Sequence, residues 1–445
     1  MTARRHSPRP PRRSAAARAR PTETVEVTVD ALGAHGDGLA AHQGRRIILP
    51  GALPGDRVRA RIGGRGPADA RGALEAVVTP SPDRVPPPCP HFGSCGGCTL
   101  QHLAPDALTA WKREAIGRAL GHRGLGETPV GPVIAIPPGS RRRATLGWVR
   151  TRAGLSLGFH GAASHRLEDL RGCALLAPAL VALVGADGPL RPLLAALATP
   201  GTRGAVIVTE TDTGLDLTLD LPAPPDLDGR ERLAAFAETV DPARLGVRIG
   251  TAWEPVAARR PPQVRFAGMP VTLPPLAFLQ PSPEGEAAIT AAILDRLPGT
   301  ATRALDLFAG LGTFSLPLAA RGLSVRAVDG AGAAMAALAA APVPAGGRVS
   351  AETRDLARDP LTAPTLADAD VVVVDPPRAG ARAQAEALAA AGPATVIAVS
   401  CNPATFARDA RLLVDGGYRL ETVTPIDQFP WSAHVEMVAA LRRPA

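Results

Sequence analysis

Cys401 and Asp375 stand 26 residues apart, and each follows a short apolar run. Val371 to Val374 leads into Asp375-Pro376-Pro377-Arg378, and Ala394 to Val399 leads into Ser400-Cys401-Asn402-Pro403. Runs of this kind read as buried strands. Open α/β sheets keep their chemistry where parallel strands run out. A thiol held there is a candidate nucleophile; taken alone it would read as a small core residue, and the carboxylate beside it turns the reading towards catalysis. Near the C-terminus, Glu436 lies inside the apolar run Val435 to Leu441. Desolvation raises the proton affinity of such a carboxylate and suits it to act as a base near neutral pH. The plainer reading is the solvent face of an edge strand. His434 is a possible neighbour, more simply read as packing or bonding locally.

A second cluster surrounds a glycine loop. Asp306-Leu307-Phe308-Ala309-Gly310-Leu311-Gly312-Thr313 follows the strand candidate Ala304 to Phe308 and opens a helix. Gly310 and Gly312 let the backbone approach a ligand at the helix N-terminus. The third glycine of the dinucleotide fingerprint is absent. Asp329 ends the next strand and is placed to accept both hydroxyls of a ribose. Loop and carboxylate together point to a nucleoside cofactor, against the alternative of a tight turn with a helix cap.

The remaining cysteines, Cys89, Cys95, Cys98 and Cys173, are spaced C-x5-C-x2-C-x74-C. Four thiolates suit tetrahedral zinc or an iron–sulfur cube. One C-x2-C pair with one neighbour and one remote ligand is less like a zinc knuckle than like a cluster site. Gly93, Gly96 and Gly97 supply the tight loop that converging ligands need.

These groups must be carried by several domains, and 445 residues suffice for two or three. Residues 1–20 hold seven arginines and no acid, which leaves the rest of a +8 chain near +1. Such a tail, expected to be disordered over 1–21, suggests a polyanionic partner. No stretch is long and apolar enough to span a membrane, and the tail lacks the apolar core of a secretory signal. Five cysteines without such a signal suit a reducing compartment, so a cytoplasmic protein is expected. Residues 22–80 read as short strands with glycine turns, a small β-barrel. A cysteine segment and a mixed α+β region follow over 81–265, with helices expected at 105–120, 178–198 and 229–238. Strands and helices then alternate through 266–445, the pattern of a doubly wound α/β sheet. Arg419 to Thr424 and Val435 to Leu441 are expected to close it as an antiparallel hairpin at the edge.

The motifs Asp375-Pro376-Pro377-Arg378, Ser400-Cys401-Asn402-Pro403-Ala404-Thr405 and His434-Val435-Glu436, with the four cysteines, resemble the RNA uracil-C5 methyltransferase family. Within it they are most similar to the RlmD-like branch, which acts on 23S rRNA and carries an N-terminal TRAM barrel and a [4Fe–4S] cluster. The resemblance implies a class I, Rossmann-like S-adenosylmethionine methyltransferase domain, a central α+β domain and an OB-like TRAM barrel. Leu49-Pro50-Gly51-Ala52-Leu53-Pro54-Gly55-Asp56 carries the TRAM likeness and implies RNA binding. By the same resemblance Cys401 matches the nucleophile and Glu436 the base. Gln280, Phe308, Asp329 and Asp375 match cofactor contacts, together with Gly310, Gly312 and Thr313 of the loop and Asp355 on the adenine side. Departures stand at Thr313 and Ser282, where family members usually have Asn, and at Asp329, where they have Glu. The implied cofactors are S-adenosylmethionine and the [4Fe–4S] cluster. The implied partner is RNA, with 23S rRNA favoured over tRNA, and the chain is expected to be a monomer. Arg378 and Arg141-Arg142-Arg143 are candidate phosphate contacts. A silent RNA-binding assembly factor and an iron–sulfur redox protein are the readings from other classes. The intact Cys401, Glu436 and Asp375 argue against the first, and the lack of a flavin or nicotinamide signature against the second.

Overall fold

Val25, Val27 and Val29 alternate with outward residues along the strand Thr22–Leu32, and the opposing strand Arg57–Gly63 buries Val58, Ala60 and Ile62 while exposing Arg57, Arg59 and Arg61. Period-two burial of this kind puts one face of each strand on a core. The computed structural model describes residues 22–63, 69–162, 164 and 166–444, so the arginine-rich tail over 1–21 lies outside the described residues. Two compact units result, one ending at Arg84 and the other beginning at Val85.

In the first unit, Thr22–Leu32, Gly38–His42, Arg45–Leu49, Ala70–Thr79 and Arg57–Gly63 close into a five-stranded barrel in that order. Closure removes unpaired edges. Fully buried Asp56 organises the turn after Leu49: its carboxylate accepts from Leu53 N (2.7 Å), Ser81 N (2.8 Å) and Arg84 Nε (3.1 Å). A buried carboxylate must be satisfied in this way, which is the physical reason for an aspartate after the Pro-Gly turn.

The second unit holds two large sheets. One has six strands, in the order Ala252–Ala258, Arg244–Ile249, Gly214–Asp220, Arg203–Thr211, Arg143–Thr151 and Gly154–Gly158. Its core packs Trp148, Leu146, Val206 and Leu217 against Leu180, Leu194 and Leu233 of the flanking helices. The single helix expected over 178–198 is two, Pro178–Val184 and Leu190–Leu197. Gly185 adopts an extended conformation there, and Pro189 has no N–H to continue the ladder.

The other sheet has nine strands. Its main order is Arg348–Thr353, Ser324–Asp329, Arg303–Leu307, Val371–Val374, Thr395–Ser400, Glu436–Arg442, Thr424–Asp427 and Ile134–Ala135. The first five are mutually parallel. Val371 and Val373 face one core with Ile289, Ile293 and Phe314, and Val372 and Val374 face another with Leu388 and Phe406. Burial on both faces explains the unbroken valine run, each side chain contributing roughly 2 kcal/mol. The closing hairpin is present, but the strand expected over 419–424 is split into Arg419–Leu420 and Thr424–Asp427. The final strand lies inside the sheet between Thr395–Ser400 and Thr424–Asp427, and the edge is taken by Ile134–Ala135. No helix among the described residues is long and apolar enough to cross a membrane.

Candidate active site

Cys401 is set at the strand end by the helix that follows. Asn402 caps Pro403–Asp415, its Oδ1 accepting from Ala404 N at 3.1 Å. Pro403 occupies the first turn, where a missing N–H costs nothing. Asn402 Nδ2 and Thr405 Oγ1 both donate to the Arg378 carbonyl, at 3.2 and 3.3 Å. The Asp375-to-Arg378 turn is thereby fastened to the cysteine turn. The antiparallel ladder pairs Val399 with Val438 and Ser400 with Met437. That ladder ends one residue short of both Cys401 and Glu436, and the Glu436 charge acts on the Cys401 thiol.

Around this pair the charges are crowded and poorly solvated. Glu436 is 6% exposed, and burial raises its pKa to about 7 against a lowering hydrogen bond from Gln428. Asp375 is raised well above the usual carboxylate range, by burial first and then by Glu436. The Cys401 thiol is pushed up to about 11 by burial, then by Glu436 and Asp375, while Arg378 pulls it down. Two glutamines connect the carboxylates. Gln428 Nε2 donates to Glu436 Oε1 and to Gln280 Oε1, both at 3.0 Å, and Gln280 Nε2 donates to Asp375 Oδ2 at 3.4 Å.

On the neighbouring strand ends, the glycine loop is held in strained backbone. Phe308 has φ +63°, Gly310 +53° and Gly312 +85°. A non-glycine residue in the left-handed region is uncommon and marks functional loops. At Gly312 an added Cβ would lie 2.4 Å from Leu338 Cδ1, so only glycine lets this turn close on the helix Gly332–Ala340. Asp329 accepts from Gly310 N (3.0 Å) and Ala331 N (2.6 Å), one bond to each oxygen. A carboxylate has further lone pairs, so it ties the loop to its strand and still has acceptor capacity for a ribose. Asp306, fully buried, takes Ser315 Oγ at 2.5 Å on Oδ2, while its Oδ1 has no hydrogen-bond partner. Burial raises its pKa to about 7. An orphaned acceptor under a glycine loop fits a ligand that brings donors, as a nucleoside cofactor with an amino group does. Thr313 is half-buried; Asp355 is exposed beyond the strand Arg348–Thr353 and pairs with Arg358 at 3.5 Å.

The four remaining cysteines come together at one place. Burial raises the Cys98 thiol to about 11, and Cys173, Cys95 and Cys89 add to the rise. Gly96 N donates to His160 O at 2.9 Å, and His91 bridges Glu168 (3.1 Å) and Arg171 N (3.1 Å), two residues before Cys173. Thr99 N and Leu100 N both donate to Trp431 O at 2.9 Å, which ties the cysteine loop to the loop before Glu436. Among the described residues no group of three or more His, Cys, Asp or Glu side chains has the close spacing of ligands to a metal ion. Four thiols are a donor set that zinc or an iron–sulfur group takes.

The structure therefore links Glu436, Gln280 and Asp375 in one hydrogen-bond network within electrostatic reach of Cys401, with Phe308, Gly310, Gly312 and Asp329 on the same sheet edge. It moves one expected residue elsewhere. Arg142 is buried, bonded to Gln280 O (3.0 Å) and paired with Glu286 Oε2 (2.6 Å), so its guanidinium is spent on structure and is no phosphate contact. Arg143 lies over the Phe278 ring at 5.1 Å. His434 packs edge-on to Phe429, with centroids 5.8 Å apart. Sequence reasoning missed Gln428 and the pair Lys112–Asp427, 2.5 Å apart and buried. Lys112 carried a signal: it is the chain's one lysine and lies four residues from Leu108 on the apolar stripe.

Comparison with known proteins accords with this geometry. A profile for tRNA (Uracil-5-)-methyltransferase matches residues 353–444, and one for the TRAM domain matches 18–73. An uncharacterized RNA methyltransferase of Caulobacter vibrioides is 41% identical over 94% of this chain and 100% of its own. The 23S rRNA (uracil(1939)-C(5))-methyltransferase RlmD of Shewanella amazonensis is 34% identical over 94% of this chain and 95% of its own. The crystal structure of Pyrococcus abyssi tRNA (uracil-54, C5)-methyltransferase with S-adenosyl-L-homocysteine shares the fold. Its TM-score is 0.70 at 22% identity, covering 94% of this chain and all of that one. Fold and strand-end site together define an S-adenosylmethionine-dependent methyltransferase. More narrowly, the chain belongs to the RNA uracil-C5 methyltransferase family, with a TRAM barrel at its N-terminal end.

Proposed function

We propose that the chain methylates C5 of a uridine in 23S rRNA, with Cys401 as nucleophile and Glu436 as the base. The observation that carries the reading is that Cys401 directly follows Ser400, the last residue paired with the Glu436 strand, and feels the charge of Glu436, a buried carboxylate with its pKa raised to about 7. Uracil C5 is a weak nucleophile. The Cys401 thiol gives its proton to solvent, and the thiolate sulfur adds to C6 and places an enolate across C5 and O4. S-adenosylmethionine, when bound, supplies an electrophilic methyl group for C5 and a positive charge that favours ionisation of a nearby thiol. With C5 methylated and S-adenosylhomocysteine as the leaving product, Glu436 takes the C5 proton, the C5–H electrons re-form the C5–C6 double bond, the C6–sulfur bond breaks, and 5-methyluridine and the Cys401 thiolate are released. Two easier steps replace one hard displacement. C6 is covered in a stacked base, so the uridine must be unpaired or flipped. Gln280, Phe308, Gly310, Gly312, Thr313, Asp329, Asp355 and Asp375 are the proposed cofactor contacts.

The near-full-length likeness to an enzyme named for 23S rRNA supports that target. A tRNA target is the second reading, favoured by the name of the profile matched over 353–444. We further propose that Cys89, Cys95, Cys98 and Cys173 hold a [4Fe–4S] cluster that joins the loop to the Cys173 segment and takes no part in methyl transfer. Mapping 5-methyluridine in rRNA and tRNA from a strain lacking the gene tests the target. Loss of one rRNA site, restored by the intact chain, is expected; loss from tRNA alone would overturn the rRNA reading.

A further inference from the structure

Gln428 is only 4% exposed and sits between Glu436 and Gln280. Its Nε2 is shared by Glu436 and Gln280, and Gln280 continues to Asp375. The amide orientation follows from this network, because the flipped amide would set an oxygen against two acceptors. The backbone on either side is clamped. Asp427 accepts from Lys112 Nζ at 2.5 Å and from Phe429 N at 3.1 Å, and Lys112 also donates to Phe429 O at 3.1 Å. Behind the side chain stands Gly285. A Cβ there would lie 2.6 Å from Gln428 Oε1 and 2.7 Å from Gln428 Cβ. The helix Pro283–Leu294 therefore leaves room for Gln428 only because position 285 has no side chain.

We propose that Gln428 is a positioning residue that holds the Glu436 carboxylate towards the reacting base and couples it, through Gln280, to Asp375, with Gly285 as the space that allows it. The inference rests on reading Glu436 as the base. Other groups facing Glu436 are Asp375 and Cys401, with Arg378 acting on the thiol. The Arg142–Glu286 and Lys112–Asp427 pairs lie behind the glutamines and are already satisfied. Losing the Gln428 donor leaves the Glu436 charge less stabilised. A base so altered needs a higher pH to be free of its proton.

The test uses the full chain with its RNA substrate and S-adenosylmethionine. Gln428→Leu keeps an apolar side chain of similar bulk and removes the amide. The expected result is a kcat about tenfold lower at pH 7, the size of a lost hydrogen bond to a charged group, with each KM within about twofold. The acid limb of the kcat profile moves to higher pH. Gly285→Ala should move the same limb in the same direction, which keeps the test decisive if Gln428→Leu folds poorly. Parent kcat and an unmoved limb in either well-folded variant would overturn the proposal. Glu436→Gln is assayed in parallel. If it turns over like the parent, the base assignment itself fails; if it is inactive while Gln428→Leu is unaffected, only the positioning role falls.

Discussion

The two halves of the carboxyl edge use their carboxylates differently. On the glycine-loop side, Asp329 spends both oxygens on backbone N–H groups, and Asp306 takes a serine hydroxyl. On the cysteine side, Asp375 and Glu436 have glutamine amides as their hydrogen-bond partners and lie close enough for Glu436 to raise Asp375. Asp329 uses its charge to hold the loop in shape, whereas Asp306, buried with one oxygen unpartnered and raised to about 7, shares the desolvation of the other half. The second half keeps charge desolvated and nearly unpaired, which raises proton affinity and makes a carboxylate useful as a base. One sheet thus carries the two halves on adjacent strands, Arg303–Leu307 and Val371–Val374.

Substitutions in the two halves should fail differently. Cys401→Ala should have the largest effect, a loss of turnover of roughly 10⁴-fold or more, with S-adenosylmethionine affinity near that of the parent. Calorimetric binding alongside single-turnover assays separates the two. The parent should show an acid limb near pH 7 in kcat: Glu436 accepts a proton only when ionised, so activity falls as pH drops through the raised value of about 7. A limb near pH 4 would place the working base in an ordinary solvated carboxylate. Asp329→Asn should spare the reactive half, raising KM for S-adenosylmethionine about tenfold with kcat little changed. Cys95→Ser lies outside both halves and should lose iron and sulfide and lower the folding yield. Zinc in anaerobically prepared parent protein would contradict the cluster. Removing residues 1–20 should do least: weaker RNA binding at low salt, a flatter salt dependence and the same methylated nucleotide.

Local features were legible in the sequence. The valine runs, the Gly310–Gly312 loop and the strand-end residues Asp375 and Cys401 announce themselves within a few residues. Glu436 was readable as a base or as an edge residue, and only its inner strand position, between Thr395–Ser400 and Thr424–Asp427, decides for burial. What was not legible depends on distant partners. Arg142 looks like a phosphate ligand until Glu286, 144 residues away, appears beside it. Gln428 is an unremarked polar residue until Gln280, 148 residues away, meets it. The broken helix at 185–189 was missed because a long apolar run outweighed Gly185, Gly188 and Pro189 in the periodicity.

Trapping a covalent bond between Cys401 and uracil C6 tests the proposed mechanism most directly. Glu436→Gln leaves addition and methyl transfer open but removes the acceptor for the C5 proton. With S-adenosylmethionine and substrate RNA it should accumulate a denaturant-resistant protein–RNA band, which the parent shows only faintly and Cys401→Ala/Glu436→Gln not at all. A band of equal strength without Cys401, or free turnover by Glu436→Gln with no adduct, would contradict the assignment.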